Sequence, residues 1–285
     1  MNAIVTIVSG RSYKSRFSRY CYPSWKKYAD KHGLKLIVYE DALDYSQRAK
    51  SRSVAWQKCL TFVAERSSEF KQIAWIDSDI VINHHKAPNI FEGVDPSQIA
   101  AVRDFVFPTR ERYRRRLEFL INHWRAIGVT CGLALTPEEY MAEWGLPPTA
   151  DIVQTGVIVA TPEVHGSLFK RVYETYEDKG ASYWHYEMRP LSYEILTTYS
   201  VKWLDPAFNL VTVFGVEDRD MRIFQSPPGI LERALRKLRL PVVHLPTART
   251  KRLEEIHERL FEQSYFLHFA GGAGNMGYLK HRLRN

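Results

Sequence analysis

The chain has 285 residues, of which 45% are hydrophobic and 25% are charged, close to the average of a globular protein. This composition excludes a disordered chain, a collagen-like chain and a small disulfide-stabilised scaffold. The net charge of +8, from 40 lysines and arginines against 32 acidic residues, favours an anionic partner: a nucleotide, nucleic acid, an acidic glycan or a membrane surface.

Predicted strands and helices alternate through the first part of the chain. Short β-branched runs predict strands, and apolar residues about one turn apart predict helices. The elements are, in order, a strand at 3–8, a helix at 23–32 that Gly33 ends, a strand at 34–39, a helix at 53–65 and a strand at 72–76. This alternation is the signature of an α/β fold with a mostly parallel sheet flanked by helices.

The second part of the chain continues the pattern less regularly. It holds predicted strands at 99–102, 151–160 and 265–269 and a helix at 162–178, with a less regular C-terminal portion after about Trp203. We found neither an internal repeat nor a low-complexity linker. The sequence therefore predicts one domain over 1–285.

The cysteines and the apolar runs bear on location. The chain has three cysteines, none in a CxxC pair, so a reducing cytoplasm is the simplest location. No apolar run approaches the ~18 residues of a spanning helix. The N-terminus is a strand candidate without a basic region before it, which does not fit a signal peptide. Any membrane contact is expected to be peripheral, at the inner face.

Two aspartates, Asp77 and Asp79, follow the apolar strand at 72–76 in the segment IAWIDSDIVI. On an extended backbone these side chains lie on the same face, with Ser78 pointing away. Ligands of an open parallel sheet bind where its strands end. Two carboxylates without a charge partner in the segment repel each other, and a divalent cation such as Mg²⁺ or Mn²⁺ removes that repulsion. The segment therefore predicts a metal site or a phosphate site.

A second Asp-x-Asp, Asp218-Arg219-Asp220, lies in a polar run with no strand before it. Turns collect aspartate, so we predict a solvated turn there.

The segment WIDSDIVIN resembles the DxD segment of GT-A glycosyltransferases, which use nucleotide-sugar donors. The glycogenin/galactosyltransferase-like group and the fungal galactosyl/mannosyltransferase-like group are the most similar, and the resemblance runs from Ala3 to about Gly274. Other segments that resemble elements of these enzymes, in the same order, are Trp56-Gln57-Lys58, Gln154-Thr155-Gly156-Val157-Ile158-Val159, Pro190-Leu191-Ser192-Tyr193, Asp205-Pro206-Ala207-Phe208-Asn209 and His268-Phe269-Ala270-Gly271-Gly272.

The resemblance implies a GT-A (Rossmann-like) fold with a nucleotide-binding part at about 1–105 and an acceptor and C-terminal part at about 106–285. It implies Asp77, Asp79 and His268 as ligands of Mn²⁺ or Mg²⁺, which would offset charge on the leaving nucleotide. The implied partners are a UDP-sugar donor and a hydroxyl of a glycan or lipid-linked glycan acceptor. The alternative for His268 is a buried histidine satisfied by the backbone.

The resemblance also implies residues that contact the donor. The alternatives are an ordinary loop for the residues after the first strand, a solvated helix lysine for Lys58 and a local ion pair for Arg103 and Asp104. The implied contacts are the base for Ser9, Gly10 and Arg11, phosphate for Lys58, Gly271 and Gly272, ribose for Ser78, and the donor sugar for Arg103, Asp104, Thr155 and Gly156.

The stereochemical class of the reaction stays open. An inverting enzyme needs a carboxylate base for the acceptor hydroxyl, whereas a retaining enzyme often has an amide or carboxylate beneath the anomeric carbon. Gln154 occupies a position where the family strand carries Asn or Asp. Glu187 falls near the family's "DQ" pair, but Met188 replaces the glutamine. Gln154 and Glu187 are the catalytic candidates, and Glu194 is expected to be a surface acid on a helix.

Two arginine-rich stretches, RERYRRR at 110–116 and LERALRKLR at 231–239, have two explanations, one structural and one functional. The structural one is a solvated helix face. The functional one is contact with an anionic acceptor or with a membrane surface, for which leucines at helical spacing in the second stretch are suited.

Three other functions remain as alternatives. A HAD-like phosphatase would use Asp77 and Asp79 after a strand, but that motif normally lies near the N-terminus. A sugar-nucleotide pyrophosphorylase needs a glycine-rich basic loop, which SGRSYKSR resembles poorly. A basic nucleic-acid-binding module would use the positive charge but leaves the acidic pair unexplained, so no nucleic-acid partner is expected.

Overall fold

A six-stranded sheet forms the centre of the computed structural model, which describes residues 1–126, 128, 132–180, 186–225 and 247–279. The strands are β1 (Asn2–Ile7), β2 (Lys35–Tyr39), β3 (Gln72–Ile76), β4 (Ile80–Ile82), β5 (Ile99–Arg103), β6 (Val153–Ala160), β7 (Val201–Leu204), β8 (Leu210–Val211) and β9 (Phe266–His268).

The order in the large sheet is β2-β1-β3-β6-β5-β7. β6 runs antiparallel to both of its neighbours, and the other adjacent pairs are parallel. A small sheet, β4-β9-β8, pairs Ile80 of β4 with His268 of β9. The predicted mixed, mostly parallel α/β sheet is confirmed.

Helices and 3-10 turns connect the strands. The 3-10 turns lie at Val54–Gln57, Pro206–Asn209, Asp218–Asp220 and Ala273–Leu279, and α1 continues through a π-helical turn, Phe17–Cys21, into α2. The α-helices are α1 (Arg11–Arg16), α2 (Tyr22–His32), α3 (Gln47–Lys50), α4 (Lys58–Thr61), α5 (Glu65–Ser68), α6 (Arg110–Ala126), α7 (Pro137–Ala142), α8 (Pro162–Thr175), α9 (Met188–Thr198), α10 (Thr212–Gly215), α11 (Met221–Gln225) and α12 (Ala248–Gln263).

The sheet separates two hydrophobic cores, because alternate residues of a strand face opposite sides. Ala74 and Ile76 of β3 pack in one core, together with Trp25 of α2. Trp75 lies in the other core, together with Phe169 of α8. This layered arrangement buries all of β3 and leaves its carboxyl end as the point where polar residues begin.

Most predicted elements match, and one helix does not. α2 ends as expected at Gly33, which adopts a left-handed backbone with φ 64°. The predicted helix at 53–65 is wrong in extent: a 3-10 turn precedes α4, and Ala64 has an extended backbone with ψ 141°. Val63, expected on the apolar face, is 42% exposed. The helix predicted at 162–178 ends at Thr175.

The structure describes part of the cysteines and of the basic stretches that bear on location. Cys21 and Cys59 are buried free thiols, and Cys131 lies outside the described residues, as does the basic stretch at 231–239. Among the described helices, none combines the length and the apolar character that crossing a bilayer requires.

Candidate metal centre

The segment from Asp77 to Asp79 forms a turn between β3 and β4. The backbone N–H of Asp77 donates to the carbonyl of Gly156 at 2.8 Å, which continues the β3–β6 pairing by one residue. The N–H of Ile80 donates back to the carbonyl of Asp77 at 3.1 Å and closes the turn. The extended geometry expected for these residues, with Ser78 pointing away as in a regular strand, is therefore wrong.

The turn nevertheless brings the three predicted metal ligands together. Asp77, Asp79 and His268 each offer one ligand atom, and these atoms lie within 4.8 Å of one another. Nε2 of His268 is 3.2 Å from Oδ1 of Asp79 and 3.8 Å from Oδ2 of Asp77. His268 is placed by the antiparallel β4–β9 pair, and the N–H of Phe269 donates to the carbonyl of Asp79 at 3.0 Å.

The chemistry of this donor set fits a divalent cation. Two carboxylates supply hard oxygen ligands, and the imidazole adds one nitrogen. Nδ1 of His268 is engaged by Oδ1 of Asn209 at 2.8 Å, so Nε2 is the nitrogen that faces the two carboxylates. Both aspartates remain partly accessible from solvent, with 26% and 21% of the side chain exposed. This set is open on one side, as a site that also receives a ligand requires.

The charged groups of this set shift one another's pKa values. Burial raises the pKa of Asp79, but His268 and Lys58 outweigh that effect and leave the pKa below its ordinary value. Burial lowers the pKa of His268, and the carboxylates of Asp79 and Asp77 outweigh it, so this pKa is raised. A cation and a proton therefore compete for the same lone pair on Nε2.

Lys58 is a buried member of the site rather than a solvated helix lysine. Its Nζ lies 2.7 Å from Oε1 of Glu187 and 3.2 Å from Oδ1 of Asp77, and it donates to the carbonyl of Thr155 at 3.2 Å. Burial lowers the pKa of Lys58, but Asp77 and Glu187 raise it above its ordinary value. The solvated alternative is wrong, and the predicted phosphate contact stays a prediction.

Glu187 lies at the start of α9 and is almost fully buried. Its Oε1 also accepts a hydrogen bond from the hydroxyl of Thr155 at 3.1 Å. Burial raises the pKa of Glu187, and Lys58 opposes part of that rise. Glu194, on the same helix, pairs with Arg171 at 2.8 Å and accepts from the hydroxyl of Tyr176. Glu194 is thus an ion-paired acid on a helix.

Gln154 and Asn209 lie on the other side of His268. The backbone N–H of Gly156 donates to Oε1 of Gln154 at 2.7 Å, and the side-chain amide of Asn209 donates to the same oxygen. Sequence reasoning quoted Asn209 only as the end of a family pattern and gave it no role. The signal was the segment DPAFN, in which Asp205 caps the 3-10 turn that carries Asn209.

Gly156 is required by close packing. A Cβ at this position would lie 2.7 Å from Cε1 and 2.9 Å from Nδ1 of His268. Gly271, with φ 66°, and Gly272 follow β9, where the N–H of Gly272 donates to the carbonyl of Phe269 at 2.7 Å. That N–H is therefore committed to closing a turn.

The residues predicted to contact the base of the nucleotide-sugar donor lie at the same edge of the sheet. Ser9, Gly10 and Arg11 follow β1, which is parallel to β3, so they emerge beside Asp77. Gly10 has φ 88° and precedes α1. This placement agrees with a nucleotide-facing loop and leaves its role a prediction.

Arg103 ends β5 and Asp104 follows it, but the two side chains do not pair with each other. Nε of Arg103 lies 3.4 Å from Oδ1 of Asp151, and the guanidinium lies over the ring of Trp203, so the alternative of an ion pair between Arg103 and Asp104 is wrong and the donor contact stays a prediction. Asp104 lines a cleft together with Tyr113, Gln154 and Asn209. Burial raises the pKa of Asp104, and hydrogen bonds from Phe105 and Tyr113 oppose that rise.

The second Asp-x-Asp is a 3-10 turn, but Asp220 within it is not solvated. Only 5% of its side chain is exposed, and it pairs with Arg252 at 2.6 Å and with Arg259 at 2.8 Å. Two arginines on α12 compensate the buried charge, which the local sequence could not show. Arg116, expected on a solvated face of α6, is likewise buried and pairs with Asp218 at 3.2 Å.

Comparisons with known proteins identify the fold. No protein-family model matches the chain, and no curated protein matches it. A crystal structure of a glycosyltransferase involved in the glycosylation of the major capsid of PBCV-1 superposes with a TM-score of 0.52 at 12% identity, over 99% of this chain and 100% of that one.

Two further structures overlap less well. Apo WbbM, a bifunctional glycosyltransferase, gives a TM-score of 0.47 at 10% identity over 99% of this chain, which spans about half (51%) of that protein. The galactosyltransferase LgtC in complex with donor and acceptor sugar analogs gives 0.42 at 12% identity, over 100% of this chain and 97% of that one. The full-length superposition on the capsid glycosyltransferase, together with the sheet order, gives the chain the GT-A fold.

Proposed function

We propose that this chain is a metal-dependent glycosyltransferase that moves a sugar from a UDP-sugar donor to a hydroxyl of a glycan or glycolipid. The observation that carries the proposal is the convergence of Asp77, Asp79 and His268 at the carboxyl end of β3, in a chain with the GT-A fold. Ligands of open α/β sheets bind at this edge. Fold alone does not establish an activity, so the proposal depends on the chemistry of this site.

The residues divide into those that would hold the cation and those that would meet the donor. Asp77, Asp79 and His268 would hold Mn²⁺ or Mg²⁺. When bound, such a cation supplies charge neutralisation for a leaving diphosphate. Ser9, Gly10 and Arg11 are proposed to face the base and Ser78 the ribose. Arg103 and Asp104, at the carboxyl end of β5, are proposed to meet the donor sugar.

Ligand-induced stabilisation tests the donor class. We would record the thermal unfolding of wild type and of Asp79→Ala with UDP, GDP, CMP and ADP, each with and without Mn²⁺. A ligand that binds the native state raises the melting temperature by mass action, and ~100 Kd of ligand adds about 2.7 kcal/mol of stability. Asp30→Asn, which changes an exposed aspartate paired with Lys26, is the matched control.

The expected result is a shift with UDP that requires both Mn²⁺ and Asp79 and that persists in Asp30→Asn. A metal-dependent shift with another nucleotide would retain the enzyme class and replace the donor. The absence of any metal-dependent shift would contradict the proposal. Hydrolysis of a phosphate monoester would then favour the phosphatase alternative, and salt-sensitive binding to DNA or RNA, unchanged in Asp79→Ala, would favour the nucleic-acid alternative.

A lipid-linked acceptor and peripheral membrane contact in the cytoplasm complete the proposal. Arg114 and Arg115 of α6 are exposed, although each already pairs with a glutamate on the same helix. Sedimentation with anionic vesicles, compared with neutral vesicles, tests this contact. Binding that is lost in Arg114→Glu/Arg115→Glu would support it, and equal behaviour with both vesicles would contradict it.

A further inference from the structure

The hydrogen bonds around His268 fix the orientation of two side-chain amides. The backbone N–H of Gly156 can only donate, so the atom of Gln154 that faces it at 2.7 Å is the amide oxygen. The atom of Asn209 that reaches the same oxygen must then be its NH₂ group. The other end of Asn209, its oxygen, therefore faces Nδ1 of His268 at 2.8 Å. The N–H of Gly156 thus orients Gln154, and through it Asn209 and His268.

This orientation determines which nitrogen of His268 carries the proton. An amide oxygen only accepts, so Nδ1 of the neutral imidazole holds the proton and donates it to Asn209. The lone pair is left on Nε2, the nitrogen that lies 3.2 Å from Oδ1 of Asp79 and 3.8 Å from Oδ2 of Asp77. The same contacts occupy the acceptor capacity of Gln154, because its oxygen receives two N–H groups.

We propose that Gln154 and Asn209 are positioning residues that hold His268 in the tautomer required of a metal ligand, and that Gln154 does not act on the sugar carbon. The inference rests on the metal site of the proposed function. It replaces the catalytic role expected for Gln154 from the family resemblance. Gly156 contributes to the same positioning of His268, because its N–H orients Gln154 and its lack of a side chain leaves room for the imidazole.

Binding of Mn²⁺ alone, without nucleotide, is the first measurement. Titration calorimetry or the EPR signal of free Mn²⁺ gives the affinity of wild type and of each variant. Asn209→Leu and Gln154→Leu are expected to weaken Mn²⁺ binding by about 10–100-fold, the usual effect of removing a group that orients a metal-ligating histidine. Gln154→Glu should retain the affinity within a few-fold, because a carboxylate oxygen accepts both N–H groups. Gln98→Leu is the control for adding a leucine elsewhere.

Gly156→Ala tests the packing part of the inference. Its Cβ would displace the imidazole, so Mn²⁺ affinity should fall as it does in Asn209→Leu. Gly274→Ala is the matched control, since a Cβ there meets nothing within 4 Å. Unchanged affinity in Gly156→Ala would contradict a tightly placed His268.

The tautomer itself is read by nitrogen NMR. With ¹⁵N-labelled histidine and no metal, at a pH at which the imidazole is neutral, wild type should show protonated Nδ1 and unprotonated Nε2 for His268. In Asn209→Leu the population of the other tautomer should increase, which a merely structural role would not produce. All variants are compared after circular dichroism and thermal unfolding show that they are folded.

The outcomes separate this inference from the proposed function. If wild type binds Mn²⁺ through Asp79 and the Gln154 and Asn209 variants bind it equally well, the inference is overturned and the function stands. If Gln154→Leu keeps Mn²⁺ affinity but loses sugar transfer, Gln154 acts on the donor and the inference is again overturned. If wild type binds no Mn²⁺, both fail.

Discussion

Lys58 connects two carboxylates that would otherwise face each other in a buried space. Its Nζ lies 2.7 Å from Glu187 and 3.2 Å from Asp77, and only 4% of its side chain is exposed. The indole N–H of Trp75 donates to the same Oδ1 of Asp77 at 2.8 Å, so Oδ2 is left to face His268. Lys58 and Trp75 together orient Asp77 towards His268.

Removal of Lys58 tests this arrangement through stability. Lys58→Met leaves Glu187 buried without a cation, so we expect a loss of about 3–5 kcal/mol in the free energy of unfolding. Lys58→Met/Glu187→Gln should recover a large part of that loss, because the unpaired charge is also removed. Lys170→Met, at an exposed lysine, is the control and should change stability by less than about 1 kcal/mol. Additive losses in the double variant, measured by urea unfolding, would contradict the coupling.

His257 makes stability depend on pH. It is buried on α12, stacks on Phe269 with ring centroids 5.5 Å apart, and donates a hydrogen bond from Nδ1 to the backbone carbonyl of Leu253 at 2.7 Å. Burial lowers its pKa to about 4, from an ordinary 6.5. Between these values the unfolded chain binds the proton and the folded protein does not, so stability increases with pH. The contribution is complete above about 6.5 and is lost as pH falls towards about 4.

The expected size follows from linkage. Between pH 7.5 and pH 5 this one group should reduce the free energy of unfolding by about 2 kcal/mol. His257→Phe keeps the ring stack but cannot bind a proton, so its loss over the same range should be smaller by about that amount. His123→Gln, at a partly exposed position on α6, should behave as wild type. Identical pH dependence in His257→Phe and wild type, measured by urea unfolding, would refute the assignment.

At this scale the sequence predicted which three side chains converge better than it predicted their surroundings. Asp77, Asp79 and His268 carry a motif and meet as expected. The contacts of Lys58 and Asn209 were missed because their partners lie far away in the chain: Lys58 and Glu187 are separated by more than a hundred residues, and Asn209 bonds to a residue of β6. Local spacing carries no information on such pairs.

At the scale of elements, ion pairs connect a 3-10 turn to α12, the helix near the C-terminus. The 3-10 turn Asp218–Asp220 carries Asp220, which α12 holds through Arg252 and Arg259. The arginines outweigh the effect of burial and hold the pKa of this carboxyl below its ordinary value. The ion pairs connect the turn to the helix that packs beside β9, which carries His268.

Neutralising Asp220 should therefore cost stability. Asp220→Asn removes the charge from a buried position opposite two arginines, and we expect a loss of about 3 kcal/mol in the free energy of unfolding. Asp30→Asn is the control, where 60% of the side chain is exposed and the partner, Lys26, is exposed as well, and it should cost less than about 1 kcal/mol. Thermal or urea unfolding measures both. Equal losses would mean that burial of Asp220 does not decide the effect.

Element boundaries followed from the sequence where a local signal ends them. Gly33 ends α2 by a left-handed backbone, and proline begins α8. The helix expected at 53–65 failed because Trp56, Leu60 and Val63 satisfy a helical period that the backbone breaks at Ala64. Period alone cannot distinguish one helix from a 3-10 turn and two short helices.

At the scale of the whole molecule, the predicted nucleotide-binding part does not contain its own sheet. The alternation of elements predicted the α/β class correctly, but not the insertion of β6 between β3 and β5. β6 is antiparallel to both of these strands and lies far from each of them in the chain, so no local pattern encodes its position. The geometry of the candidate metal centre depends on it as well, since Gly156 and Gln154 belong to β6.

A fragment of residues 1–105 should accordingly not fold alone. Among the strands that the structure describes, β5 pairs with β6 and β7 alone and β4 with β9 alone, so two of the five strands in the fragment lack every described partner. The β6-facing edge of β3 would also be exposed, together with the apolar faces that β6 and α8 cover. We expect no cooperative thermal transition and poorly dispersed amide NMR signals for the fragment, against one transition for the whole chain. Mixing the 1–105 fragment with a fragment of residues 106–285 tests whether the two parts together restore the cooperative transition. A fragment that unfolds cooperatively by itself would show that β1, β2 and β3 suffice, and that the boundary near 105 separates two folding units within one sheet.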